Sequence, residues 1–193
     1  MKKNLFKLVD KLIKKSKNRE IQFADIAIEL EKTDIDLIEY IIHNKYTMTS
    51  PQRLINTLKS CQYVVKNNIP GDFVECGVWR GGNGILAKKI FEYLGSNKNV
   101  WMFDTFQGMT APTSVDVAAK TQLAAESHFL ESQKDTHNEW CFASLKDVRK
   151  NCLDAGLDIN SFRFIEGDVC ETLKTPKNIP DEISVLRLDT DWY

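Results

Sequence analysis

From residue 72 onward the chain alternates short apolar runs with helical stretches, and that alternation narrows its fold more than any other feature. "DFVEC" runs into a glycine-rich turn and then "GGNGILAKKIFEYLG", a helix stopping at Gly95; "NVWMFD" follows as a second strand. After an irregular polar stretch over 105–140 come a helix in "CFASLKDVRKNCLDAGL", a strand in "SFRFIEGD", a short helix in "VCETLKTPKNIP" and a strand in "ISVLRLD". Strand–helix–strand repetition predicts an α/β fold: a parallel, doubly wound sheet with helices on both faces. Such sheets bind ligands beyond the carboxyl ends of their strands. Glu75, Asp104, Asp168, Asp189 and Asp191 all fall at those ends. Together they point to a single site.

Residues 1 to about 68 read as a helical extension, with 69–193 as the α/β domain. "ADIAIELEKTDIDLIEYIIHNKY" repeats Ile and Leu at three- and four-residue spacing, with Thr33 or Asp34 expected to cap a helix. "SPQRLINTLKSCQYVVKNN" has Ser50 at the cap and Pro51 at the first helical position. The first 18 residues carry seven lysines among Leu5, Phe6, Leu8, Val9, Leu12 and Ile13. Lysines interrupt every apolar run there and no cleavage site follows, so the segment is not a secretory signal. A packing or dimerising amphipathic helix is favoured over a membrane-surface helix, and a homo-oligomer is expected.

With 42% apolar residues the chain can bury a sizeable core, and a net charge of −1 gives it no bulk attraction for nucleic acid or anionic membrane. The α/β domain has no basic stripe interleaved with aromatics, which argues against a nucleic-acid partner. No apolar run approaches the roughly 20 residues of a membrane span. Five cysteines without a CxxC pair read as reduced thiols, so a cytoplasmic protein is expected.

In "ECGVWRGGN" the glycines Gly77, Gly81 and Gly82 lie between a strand and a helix, where a ligand can approach a positive helix end. Packing alone also produces such turns. The spacing is not the dinucleotide GxGxxG, because Trp79 sits where its second glycine would be. Asp104 ends the second strand 22 residues beyond Gly82, where a carboxylate accepts the hydroxyls of a ribose. The pair predicts a nucleoside-containing cofactor, S-adenosylmethionine (SAM) in preference to NAD. Arg80 has two readings: it reaches an anionic group of a ligand, or it braces the turn against a carboxylate.

"YTMTSPQRLINTLKSCQYVVKNNIPGDFVECGVWRGGNGIL", "VWMFDTFQGM" and "VLRLDTDWY" resemble the macrocin O-methyltransferase (TylF-type) family, from about Tyr46 to Tyr193. The resemblance implies a Rossmann-like class I methyltransferase sheet, SAM and magnesium as cofactors, and a hydroxyl of a sugar or glycosylated small molecule as acceptor. It places Glu75 and Gly77 at the methionine end of SAM, with the Gly81–Gly82–Asn83 helix start holding the carboxylate. Asp104 would take the ribose, and Thr105, Phe106, Gln107 and Gly108 would wall the adenosine. Thr47 and Met48 would close over the cofactor, while Ser144, Gly167 and Asp168 lie where adenine is expected. The alternatives are an NAD-linked Rossmann oxidoreductase and a non-catalytic fragment with an associating helical N-terminus.

Asp189 and Asp191 occupy alternate positions of one strand end and so project to the same side. Hard oxygen ligands of this kind suit magnesium. In the resembling family the first aspartate of this motif binds the metal, which falls on Asp189. The metal would acidify the acceptor hydroxyl, and a protein base would take its proton. His137 is the candidate base, set against its reading as an exposed loop histidine. In the family two more acidic ligands follow on the next strand, and this sequence stops at Tyr193. A truncated chain is therefore expected, with a naked apolar edge along "ISVLRL", an incomplete metal site and little turnover.

Overall fold

The computed structural model describes residues 29–117 and 125–190. The lysine-rich N-terminal segment and Asp191 lie outside them. In chain order the elements are α1 (Lys32–His43), α2 (Pro51–Lys66), β1 (Asp72–Cys76), α3 (Gly82–Tyr93) and β2 (Val100–Asp104). They continue as α4 (Ala125–Ser132), α5 (Leu145–Asp154), β3 (Phe162–Glu166), α6 (Val169–Thr172) and β4 (Ile183–Leu188).

The four strands form one parallel sheet in the order β3-β2-β1-β4. The chain walks outward from β1 through β2 to β3, then returns to lay β4 on the other side of β1. That reversal opens a crevice above the carboxyl ends of β1 and β4, where such sheets hold ligands.

Strand alternation sorts the side chains onto two faces. Phe73, Val100, Met102 and Phe162 face the main core, which they share with Ile38 and Ile41 of α1, Leu54 and Leu58 of α2, Ile85 and Ile90 of α3, and Val148 and Cys152 of α5. Each fully buried aliphatic side chain here contributes about 2 kcal/mol. Val74, Cys76 and Phe103 face the other way into a small cluster completed by Trp101, Ile165 and Val169 of α6. Helices on both faces were the expectation. Among the described residues the large helices gather on one face, over Phe73 of β1, Val100 and Met102 of β2, and Phe162 and Phe164 of β3. Leu186 and Leu188 remain exposed on β4, and β4 pairs with β1 alone among the described strands.

The helix starts differ in detail from the sequence reading. Ser50 caps α2 as expected, its Oγ accepting the Arg53 N–H with Pro51 at the first position. For α1 the cap is Glu31 rather than Thr33 or Asp34. Asp34 sits one turn in, accepts the Glu31 N–H, and is buried against Lys59 (2.8 Å) and Gln62 (2.7 Å) of α2. An acid that the pattern suggested as a cap instead pins the two helices together.

Candidate functional site

A cleft of about 330 Å³ opens at the carboxyl ends of the strands, within the range of small-molecule sites. Thr47, Met48, Glu75, Gly77, Asn83, Asp104, Thr105, Gly108, Gly167, Asp168 and Asp189 of the expected residues line it. Gly81, Gly82, Phe106, Gln107, Ser144 and His137 do not.

Two glycines set the shape of the cleft by letting backbone approach backbone. Gly77, at φ +83°, would put a Cβ 2.1 Å from the carbonyl oxygen of Asp189. The ends of β1 and β4 are zipped there, with Asp189 N–H donating to Cys76 O at 2.9 Å. At Gly82 an added Cβ would lie 2.6 Å from Tyr46 O and 2.7 Å from Thr47 Cβ. The 46–49 segment therefore rests on the start of α3 and brings Thr47 and Met48 to the cleft, although Gly82 itself is covered.

Asp104 ties the loops together. Its Oδ2 accepts the N–H groups of Val78 (2.7 Å) and Trp79 (3.2 Å), and its Oδ1 accepts that of Phe106 (2.8 Å). Trp79 and Phe106 both hold positive φ, at +46° and +52°, a conformation costly for bulky residues. The carboxylate holds both strained turns while keeping lone pairs that can still face a ligand. Phe106 points inward against Phe164, its ring edge-on at 6.5 Å, which is why it does not wall the cleft.

Glu75 is 1% exposed, yet a carboxylate. Its Oε1 accepts from Arg187 Nη1 at 2.8 Å, and its Oε2 is buried with no hydrogen-bond partner. Burial pushes the carboxyl up to about 8, opposed by Arg187, reinforced by Asp189, opposed by the nearby Asn83 side chain and reinforced by Asp104. Asn83 favours the charged form without a well-formed bond to Oε2; its own Oδ1 accepts from buried Thr57 at 2.9 Å. Arg187 also donates through Nη2 to Asp189 Oδ2 at 2.7 Å, and exposed Arg53 lies 3.6 Å from Asp189 Oδ1. Sequence reasoning missed Arg187, Arg53 and Thr57. A buried acid on a central strand needs a cation on a neighbouring strand, and Arg187 shares the face of core-facing Val185 on β4, so that signal was available for Arg187.

Several of the expected residues lie away from the cleft. Ser144 is the cap of α5, accepting the Asp147 N–H (3.2 Å) and donating to Asp147 Oδ2 (2.6 Å), and does not reach the cleft. His137 lies in the turn bridged by Gln133 and Asn138, its ring stacked on Phe142 at 4.2 Å. That geometry favours the loop reading over the base. Arg80 is not seen to brace the turn against a carboxylate: its guanidinium lies 5.8 Å from the Trp79 ring centre and its buried Nε has no hydrogen bond among the described residues. No three His, Cys, Asp or Glu residues group as a metal site among the described residues. Nor is any helix among them long and apolar enough to cross a membrane.

A parallel sheet of this order, with a glycine turn into a helix beneath the cleft and an acid closing β2, defines a Rossmann-like fold of the kind that holds a nucleoside-bearing cofactor. The chain belongs to the macrocin-O-methyltransferase (TylF) family, whose profile matches residues 6–193. It is 32% identical over 151 residues to an 8-demethyl-8-(2,3-dimethoxy-alpha-L-rhamnosyl)-tetracenomycin-C 4'-O-methyltransferase of Streptomyces olivaceus, covering 77% of this chain and 53% of that one. A demethyldecarbamoylnovobiocin O-methyltransferase of Streptomyces niveus is 33% identical over 151 residues, covering 78% and 53%. A mycinamicin III 3''-O-methyltransferase of Micromonospora griseorubida is 31% identical over 153 residues, covering 77% and 55%. The solved structure of the O-methyltransferase NovP superposes with a TM-score of 0.62 at 32% identity, covering 75% of this chain and 56% of that one. The resemblance drawn from the three motifs is borne out. The chain spans about half the length of the curated relatives it matches.

Proposed function

We propose that residues 69–193 hold SAM for an O-methyltransferase acting on a hydroxyl of a sugar or glycosylated small molecule, with the preceding helices as a cover. The observation that carries the reading is Glu75, a buried carboxylate that lines a cleft of cofactor size and whose Oε2 has no hydrogen-bond partner. A buried acceptor of that kind costs free energy until a donor arrives, and a cationic amino group is the donor it fits best. Asn83, in the first turn of α3, lines the cleft near the positive end of that helix, which favours a carboxylate. Asp104 has lone pairs left for ribose hydroxyls, and Met48 and Thr47 shield the cofactor from water. The acceptor class is supported by the rhamnosyl compound named for one relative.

SAM, when bound, supplies a methyl group on a sulfonium that departs as a neutral thioether. The chain's own task is to bind that cation, orient it and exclude water. Asp189 presents its carboxylate at the cleft beside Arg187, where an acceptor hydroxyl would lie. Magnesium is the finer part of the reading. Asp189 is its one expected ligand among the described residues, and Arg187 already holds it, so the described residues do not fit a metal and no step is routed through one. Cys61, Cys76 and Cys152 are buried thiols, which fits a reducing, cytoplasmic setting. The NAD-linked alternative loses its ground with the family assignment.

Calorimetric titration of the 193-residue chain with SAM tests the reading, with NAD and Asp104→Ala as controls. Saturable SAM binding, absent with NAD and lost in the variant, is expected. A chain with a cooperative thermal melt that ignores SAM would overturn it.

A further inference from the structure

We propose that Arg187 is the positioning residue of the cofactor site, fixing Glu75 for the amino end of the cofactor and joining that subsite to Asp189. The inference rests on the SAM reading above. Arg187 is on β4 directly beside Glu75, the two being partners in the strand register. Its side chain is 15% exposed and uses different nitrogens for different acids, Nη1 for Glu75 Oε1 and Nη2 for Asp189 Oδ2. Only a planar fork of fixed donors can do this within one plane of contacts; a lysine ammonium is a point charge on a flexible stem.

By occupying Oε1, Arg187 decides which oxygen of Glu75 is left for the ligand. The free one is Oε2, and it is buried. The charges count the same way. Once Glu75 is ionised, it and Asp189 carry two negative charges against the single positive charge of Arg187. A ligand ammonium at Oε2 brings the group to neutrality. Arg53 contributes little to that balance, since its side chain is 64% exposed and 3.6 Å from Asp189. On the SAM reading the nucleoside end falls to Asp104 and the 46–49 segment, which line the cleft apart from Arg187's two acids, so Arg187 acts on one end of the ligand only.

A brace that merely held β4 to β1 would affect every ligand of the cleft alike. Arg187 as a positioning residue affects only ligands that carry the amino-acid end. Two probes separate these cases: S-adenosylhomocysteine, which has the amino-acid end, and 5′-methylthioadenosine, which lacks it. Calorimetry on the 193-residue chain compares wild type with Arg187→Gln, Arg187→Lys, Glu75→Gln and the Glu75→Gln/Arg187→Gln pair, with thermal melts as the folding check. Arg187→Gln is expected to weaken S-adenosylhomocysteine at least tenfold and methylthioadenosine less than twofold. Arg187→Lys is expected to fall between wild type and Arg187→Gln for S-adenosylhomocysteine alone, and it carries the comparison if Arg187→Gln does not melt cooperatively. The double variant is expected to bind S-adenosylhomocysteine no more weakly than Glu75→Gln. Equal weakening of both probes, unchanged S-adenosylhomocysteine binding, or additive losses in the double variant would each overturn the inference. Wild-type chain that binds neither probe would overturn the SAM reading itself, and with it the basis for this one.

Discussion

Raising the pH from 5 to 8 is expected to destabilise the unliganded chain, and Glu75 is the reason. Its carboxyl is pushed from an ordinary 4.5 up to about 8, first by complete burial and only partly relieved by Arg187. Between those values the folded chain keeps a proton that the unfolded chain has lost. The folded state then binds more protons than the unfolded one, so unfolding becomes easier as the pH climbs. The stabilisation is complete below 4.5 and gone above about 8. At about 1.4 kcal/mol per pH unit, the span amounts to about 5 kcal/mol as an upper bound, a large fraction of the 5–15 kcal/mol typical of a domain. Urea unfolding followed by circular dichroism at pH 5, 6.5 and 8 measures it. Glu92, also raised by partial burial, tilts the wild-type curve the same way, so the quantity to read is the difference from Glu75→Gln. That variant keeps an oxygen for Arg187 and has no charge to bury, and it should give the flatter curve. S-adenosylhomocysteine should flatten the wild-type curve too, because a ligand ammonium favours the ionised carboxylate. A wild-type chain as stable at pH 8 as at pH 5, or a Glu75→Gln curve of equal slope, would refute the account of Glu75.

Gly77→Ala forces a Cβ onto the Asp189 carbonyl at positive φ; it should cost about 3 kcal/mol or more in urea unfolding and abolish saturable SAM binding. Ser144→Ala removes the cap of α5 and should cost about 1 kcal/mol while leaving S-adenosylhomocysteine affinity within twofold. A marked loss of affinity would return Ser144 to the adenine end of the cleft. Asp72→Ala leaves the Asn99 N–H and Trp101 Nε1–H without their acceptor at the amino end of the sheet. It should lower stability by about 2 kcal/mol with no change in ligand affinity, since the cleft lies at the opposite end.

The strands were legible because their signal is local. "DFVEC" in the sequence is β1 in the fold, residue for residue, and "ISVLRLD" is β4 but for its last residue, and Gly95 ends α3 in the left-handed conformation that the stop required. Ser50 and Pro51 were legible for the same reason, a cap and a first-turn proline being decided by the next three residues. The helix at 145–154 was read as starting near Cys141 because apolar spacing marks a helix face and not its first turn; the Ser144–Asp147 pair was the missed boundary signal. In the site, residues that act where their own loop puts them were found: Glu75, Gly77, Asp104 and Asp168 all reach the cleft. What stayed hidden depends on pairings between distant segments. Thr57 meets Asn83 26 positions on, and Arg187 meets Glu75 112 positions back. Phe106 and Ser144 were placed in the site by their motif, and each is drawn away by a local demand, one by Phe164 and the other by the α5 cap.

The pairing of Glu75 with Arg187 also settles how β4 lies against β1. Val185 stands beside Phe73, Arg187 beside Glu75 and Leu188 beside Cys76. Sliding β4 by one residue would bring Leu186 or Leu188 beside Glu75 and turn Arg187 to the opposite face. A carboxylate that is almost wholly enclosed would then have no cation, at a cost of several kcal/mol. Apolar residues alone would specify this strand weakly, since Val185, Leu186 and Leu188 offer grease to either face. The ion pair acts as a tooth that lets the strand seat in a single notch, so the same two residues that shape the ligand's berth also proofread the assembly of the sheet around it.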